Sequence, residues 1–132
     1  MSNKFMLDTD ICSYIIKQFN NNVVSSYNTY FNNCYISAVT YGELQFWVLK
    51  RGSEKLQSAV QRFLEQIKII ALDENVMQCY AEVRFALERD GTPVDNMDMM
   101  IAASALAHKI TLVTNNTVHF SRIPKLVIEN WL

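Results

Sequence analysis

Glycine and proline are scarce in this chain, three and two among 132 residues. So few leave no room for a flexible linker, a low-complexity tract or an internal repeat. The length suits one compact domain over residues 1–132. Cysteine is also rare. Cys12, Cys34 and Cys79 are odd in number and far apart, which excludes a disulfide framework and a zinc-type ligand spacing. Each sits among apolar neighbours, as small core residues do in a reducing cytoplasm. No apolar run is long enough to span a bilayer, and residues 1–8 lack a signal-peptide core, so a cytoplasmic location is expected. Excess charge is missing too. A formal net charge of −1 excludes a protein that coats nucleic acid by bulk charge. Three local basic groups stand out: Lys50, Arg51 and Lys55; Arg84 and Arg89; Arg122 and Lys125. They read as ordinary solvated surface.

Apolar residues make up half of the chain, enough for a core. Short apolar runs predict strands at Lys4–Asp8, Cys34–Val39, Lys68–Leu72, Ile110–Thr114 and Leu126–Glu129. Between them apolar residues recur at helical spacing: Asp10–Phe19, then a second short helix after the break at Asn20–Asn22, running to about Tyr30. Leu44, Trp47 and Val48 line the next helix, which Gly52 ends. A further helix, capped by Ser53, carries Leu56, Val60, Phe63, Leu64 and Ile67. Another, capped by Asp73, carries Val76, Met77, Tyr80, Val83 and Leu87 and closes at Gly91. After the break at Thr92-Pro93, the last starts at Asp95 and carries Ile101, Ala102, Ala105 and Leu106. Strands alternating with helices imply parallel pairing. The expected fold is an α/β/α sandwich around a parallel sheet of four to five strands. In such sheets ligands bind beyond the carboxyl ends of the strands.

Three acids fall at that edge. Asp8 ends the first strand, where a carboxylate after three apolar residues is costly without a partner. Glu43 lies in the first turn of the helix after the second strand. There it either completes a capping box with Thr40 or joins an acidic cluster. Asp98 lies in the first turn of the helix before the fourth strand, where it either complements the helix dipole or joins the same cluster. Converging carboxylates repel one another unless a cation lies between them, and hard oxygen donors suit Mg²⁺, with Mn²⁺ as the substitute. With no Ser-His or Cys-His arrangement, the pattern points to metal-assisted phosphodiester hydrolysis. Asn115 and Asn116 follow a strand and either make a turn or serve the site, Asn116 by bonding a water. His108 and His119 are isolated and read as surface or core residues. Met97, Met99 and Met100 read as core packing.

Four segments in order resemble the motifs of VapC-type PIN domains, over nearly the whole chain: Met6-Leu7-Asp8-Thr9 with Asp10-Ile11; Thr40-Tyr41-Gly42-Glu43-Leu44; Gly91-Thr92-Pro93 through Met97-Asp98-Met99-Met100-Ile101-Ala102-Ala103-Ser104-Ala105; and Leu112-Val113-Thr114-Asn115-Asn116 with His119-Phe120-Ser121-Arg122-Ile123. The resemblance implies a PIN-like fold and a Mg²⁺-dependent endoribonuclease, the toxin of a toxin–antitoxin pair. Its substrate would be transfer RNA, notably the initiator in enterobacterial relatives. A VapB-like antitoxin would fill the active-site groove with its C-terminal segment and supply any contact with DNA, and the toxin would be a homodimer. Asp8, Glu43 and Asp98 fall on the family's acidic positions. Asn116 falls where many PIN domains carry a fourth acid. Two departures are Asp10, where the family usually has Asn, and Asp95, where it often has a small residue. Both read as helix caps.

The expected mechanism has Asp8, Asp98 and Glu43 hold Mg²⁺, with Thr114 and Asn116 orienting water or phosphate and basic residues at the rim gripping flanking phosphates. Phe46 and Trp47, near the groove, either meet the antitoxin tail or belong to the core or a dimer interface. Two rivals stand. Asp8-Thr9-Asp10 after an apolar strand resembles the nucleophile motif of haloacid-dehalogenase-type phosphotransferases, with Lys109 as a poor candidate for their lysine. A PIN domain that binds RNA or a partner without cutting is the other.

Overall fold

The structure, a computed structural model, describes residues 3–132; Met1 and Ser2, included in the one-domain expectation, lie outside it. The chain alternates strands and helices from the start. Strand β1 is Phe5–Leu7, followed by α1 (Thr9–Lys17) and α2 (Asn21–Thr29). A 3-10 turn at Phe31–Asn33 leads into β2 (Cys34–Ser37), α3 (Ala38–Arg51) and α4 (Glu54–Gln66). Next come β3 (Lys68–Ile70), α5 (Glu74–Arg89) and α6 (Asn96–His108), and then β4 (Thr111–Val113), the short α7 (Thr117–Phe120) and β5 (Ile128–Glu129). All five strands pair in parallel, in the order β3-β2-β1-β4-β5. The sheet grows outward from β1 to β2 and β3, then restarts on the other side with β4. The boundary between β1 and β4 is therefore the point where strand order reverses, and at such a point adjacent strand ends open a crevice.

The alternation of side chains along each strand divides the core into two layers. Phe5 and Leu7 of β1, Cys34 and Ile36 of β2 and Val113 of β4 pack with Ile11, Val23, Tyr27, Leu44, Val60 and Phe63. Met6 and Leu112 point the other way, into Val76, Leu87, Met99, Ile101 and Phe120. Helices α1 to α4 cover one face, and α5 and α6 cover the other. This is the expected α/β/α sandwich.

Local chemistry sets most helix ends as the sequence predicts. Ser53, Asp73 and Asp95 each cap their helix by accepting a backbone N–H. Asn20, read as part of a break, caps α2 in the same way. Gly91, at φ +70, lets the amide of Thr92 donate to the Leu87 carbonyl and close α5. The expected cap at Thr40 is corrected. Strand β2 stops at Ser37, whose hydroxyl accepts from the Val39 amide, so α3 starts before Thr40. Thr40 is fully buried in the first turn. No capping box forms, and the Glu43 side chain is released for another use. The methionines divide as well: Met99 is core, whereas Met97 is 51% exposed.

Leu112 is fully buried in a strand with neighbours on both sides. Truncation to alanine removes apolar contacts that a close-packed sheet cannot recover. Leu112→Ala should lose about 2–5 kcal/mol in urea unfolding with little change in the denaturant slope.

Candidate active site

The crevice at the β1/β4 boundary is built around Asp8. Its amide donates to the Val113 carbonyl at 3.1 Å, which extends the β1–β4 ladder by one residue and brings its side chain to the sheet's edge. One carboxylate oxygen accepts the Ile11 amide at 2.9 Å, so Asp8 caps α1. The Thr114 hydroxyl, fully buried, also bonds this carboxylate. Asp8 is only 7% exposed. Burial raises its pKa from 3.8 to about 6, against the lowering effect of the Thr114 and Ile11 bonds, and the charges of Asp10 and Asp98 push the same way.

Glu43 reaches the crevice from α3. Thr9 Oγ1 lies 2.5 Å from Glu43 Oε1 and 3.2 Å from Thr40 Oγ1. A hydroxyl has one proton to give, and the carboxylate is the stronger acceptor. Thr9 therefore ties the start of α1 to the second turn of α3 and sets the Glu43 rotamer. Asp98 comes from the first turn of α6, behind the Asp95 cap. Burial raises its pKa, as do Asp95, Glu43 and Asp10, while His119 opposes the rise.

Asp8, Asp10, Glu43 and Asp98 line one pocket of about 230 Å³ together with Thr9 and Asn116, and Ile101 and Phe120 supply its apolar wall. The three acids singled out in the sequence thus converge. Asn116 lines the pocket as well, its amide nitrogen 3.1 Å from His119 Nδ1. Thr114 does not line it. The Thr114 hydroxyl faces Asp8 and accepts the Asn116 amide at 2.9 Å, so it positions those residues and does not meet water or phosphate. Asp10 is corrected too. Asp8 caps α1, and exposed Asp10 in the first turn adds a fourth acid to the lining. Thr9 and His119 were missed by sequence reasoning. Thr9 sits inside a motif already singled out, whereas His119 is linked to Asn116 and Asp98 through α7, a four-residue helix no periodicity reveals.

A wider hollow of about 410 Å³ opens between Leu106, Lys109, Ile110, Lys125 and Leu126. Lys109 precedes β4, so this hollow lies at the amino edge of the sheet, and no carboxylate lines it. Lys109 is thus at the far edge from Asp8, and the phosphotransferase reading loses its lysine.

Among the described residues no three Asp, Glu, His or Cys side chains are gathered into a closed ligand set. The acids surround an open space. An open ring of oxygen donors fits a hard divalent cation that keeps several waters and needs only one or two direct carboxylates. The strain at Asp8, a buried carboxyl facing other acids, is what such a cation would relieve.

A parallel sheet in this strand order, with acids from β1, α3 and α6 at its reversal point, defines a class of domain, and comparison with known proteins identifies it: the family model described as PIN domain matches residues 5–126, and the chain belongs to that family. Within it the chain is of the VapC type. It is 39% identical to the Ribonuclease VapC2 of Rickettsia felis, over 96% of this chain and 97% of that protein. It is 33% identical to the tRNA(fMet)-specific endonuclease VapC of Salmonella typhimurium, over 97% of this chain and 98% of that one. Among solved structures it resembles a chain of VapBC2 from Rickettsia felis bound to a promoter DNA fragment, with TM-score 0.88 and 36% identity over 97% of this chain and 98% of that chain. It also resembles a chain of DNA-bound VapBC from Salmonella typhimurium, with TM-score 0.89 and 32% identity over 98% of each.

The Asp8 pKa has a consequence for stability. Because the folded protein holds the Asp8 proton to about pH 6 and the unfolded chain releases it near 3.8, the buried charge opposes folding above pH 6. The penalty is on the order of 3 kcal/mol when fully developed and fades as pH falls from 6 towards 4. In divalent-free buffer Asp8→Asn, which keeps an acceptor for Ile11, should raise the melting temperature at pH 8 and give up that gain by pH 4. A gain independent of pH would contradict the assignment.

Proposed function

We propose that this chain is a Mg²⁺-dependent endoribonuclease, the toxin of a VapBC pair, acting in the cytoplasm. The observation that carries the reading is the convergence of Asp8, Glu43 and Asp98 on one pocket at the strand-order reversal. Asp8 and Asp98 would hold the cation, directly or through water, and Glu43 would complete the set; Asp10 adds charge at the rim. When bound, the ion supplies Lewis acidity, acidifying water and polarising a phosphoryl oxygen. The protein's own groups do the rest. Thr9 keeps Glu43 turned into the pocket, and Thr114 keeps Asp8 there. Asn116 offers its side chain to an incoming water or phosphate, steadied by His119. Ile101 and Phe120 exclude water from one wall.

Transfer RNA is the substrate we favour, on the strength of the likeness to the Salmonella typhimurium protein named for tRNA(fMet). The partner is a VapB-like antitoxin, through which contact with DNA would be made; the support is the likeness to chains solved within VapBC complexes. Beside Glu43 an apolar groove of about 610 Å³ runs between Val39, Phe46, Met97 and Met100. Phe46 is 63% exposed there, whereas Trp47 packs partly against the core. This groove is where the antitoxin tail would lie. A homodimer completes the reading.

Purified wild type should cut RNA with Mg²⁺ and stop in EDTA, and sequencing the ends after brief expression should show discrete tRNA sites. Asp98→Asn should lose at least about 10²-fold, since it removes several kcal/mol of charge stabilisation. Cleavage that persists in EDTA, or equal cleavage by both proteins, overturns the reading. Thr9→Val should cost about 10- to 100-fold in activity while leaving the melting temperature nearly unchanged, as expected when a supporting hydrogen bond and not a ligand is removed.

A further inference from the structure

The catalytic pocket carries four carboxylates, so it repels the polyanion it is proposed to cut. With a net charge of −1, the chain has no general positive field to offset this. Affinity for the RNA backbone must come from a local concentration of cations. Arg84 and Arg89 do not provide one, because Glu88 and Asp90 pair with them at 2.7 and 3.1 Å.

A second pocket, of about 320 Å³, lies between the C-terminal ends of α1 and α3 and the start of α4. Lys17, Arg51 and Lys55 line it, and no acid does. All three are exposed, and none forms an ion pair among the described residues. Glu54 opens α4 close by but neither lines the pocket nor pairs with them. The Lys17 ammonium stands over the Trp47 ring, 5.2 Å from its centre. That contact restrains the cation without neutralising it. Ser53 caps α4 at the pocket's edge, adding the positive end of a thirteen-residue helix.

The placement relates this pocket to the first. Helices α1 and α3 both face the catalytic pocket near their N-terminal ends, with Asp10 in the first turn of α1 and Glu43 in the second turn of α3, and both end at the basic one. Glu43 and Arg51 are about 12 Å apart along the axis of α3. A backbone whose scissile phosphate lies at Asp8 and Asp98 therefore passes within reach of the cations a few nucleotides away.

We propose that Lys17, Arg51 and Lys55, with Trp47 and the α4 N-terminus, form a second binding site for the RNA backbone, separate from the catalytic pocket, that supplies affinity the acidic pocket cannot. It rests on the ribonuclease reading for its ligand. Trp47 lines the site beneath Lys17, and Arg51 offers the planar fork suited to phosphate.

The test compares wild type with a triple variant, Lys17→Gln, Arg51→Gln and Lys55→Gln. Both are also made with Asp98→Asn so that binding can be measured without cleavage. For a long single-stranded RNA the triple variant should bind about 10-fold more weakly at moderate salt, and the slope of log Kd against log salt should fall by about 2, some 0.7 for each lost phosphate contact. A dinucleotide, whose single phosphate can lie only at the catalytic pocket, should be cut at the wild-type kcat/KM. The charge-preserving set Lys17→Arg, Arg51→Lys and Lys55→Arg should keep the wild-type salt slope. Unchanged affinity and slope for the long RNA overturn the proposal while leaving the nuclease standing. So does a loss seen with poly-L-glutamate and not with RNA, which would mark a docking site for an acidic polypeptide. If wild type cuts neither RNA, the nuclease reading fails, and the salt slope for RNA binding still decides whether this site exists.

Discussion

Carboxylates held around a small, partly buried pocket repel one another, and each carries a desolvation cost as well. Nothing about Asp8, Asp10, Glu43 and Asp98 makes them gather by themselves. They are held by neutral groups that the fold places behind them: the Ile11 amide and the Thr114 hydroxyl on Asp8, the Thr9 hydroxyl on Glu43. Each of those donors is fixed in turn by the ladder between β1 and β4 or by the packing of α1 against α3. The upward shift of the Asp8 pKa to about 6 is the trace of the stress that remains. A site stressed in this way fits the divalent cation of the proposed function, which would relieve that stress.

The sheet supplies the rigidity. Two apolar layers clamp β1 between β2 and β4, so the position of Asp8 is set by the most buried part of the molecule. The strand order reverses beside it, which leaves an opening where no crossover helix passes. The candidate groups come from chain positions as distant as 8, 43, 98 and 116, yet each lies within two turns of a strand's end or a helix's start. The connections that carry Asp8 and Asn116 are only one and three residues long. This agrees with the scarcity of glycine and proline and with a site that depends on fixed geometry.

Much of this was legible in one dimension. Asp8 declared itself by chemistry, because a carboxylate closing a buried strand needs a partner. The helix caps at Ser53, Asp73 and Asp95 and the stop at Gly91 followed from local hydrogen bonding. Other residues were legible only in part. Thr40 and Glu43 have capping-box spacing, but Ser37 took the cap because β2 ended earlier than its apolar run suggested. Thr114 lay at the expected strand end, yet its hydroxyl turned inward to Asp8. Asp10 has a good cap residue's chemistry, but Asp8 already held that position.

The sequence by itself determined the alternation of strands and helices, the parallel sheet and the identity of the three principal acids, because those depend on periodicity and on what a residue requires of its immediate neighbours. Only the tertiary structure decided that Thr9 supports Glu43, that His119 faces Asn116 and Asp98, and that Lys17 from one helix joins Arg51 and Lys55 from two others. Those relations link segments whose separation along the chain carries no period. They exist because strand pairing and helix packing fix distances between elements, and no local rule encodes such distances.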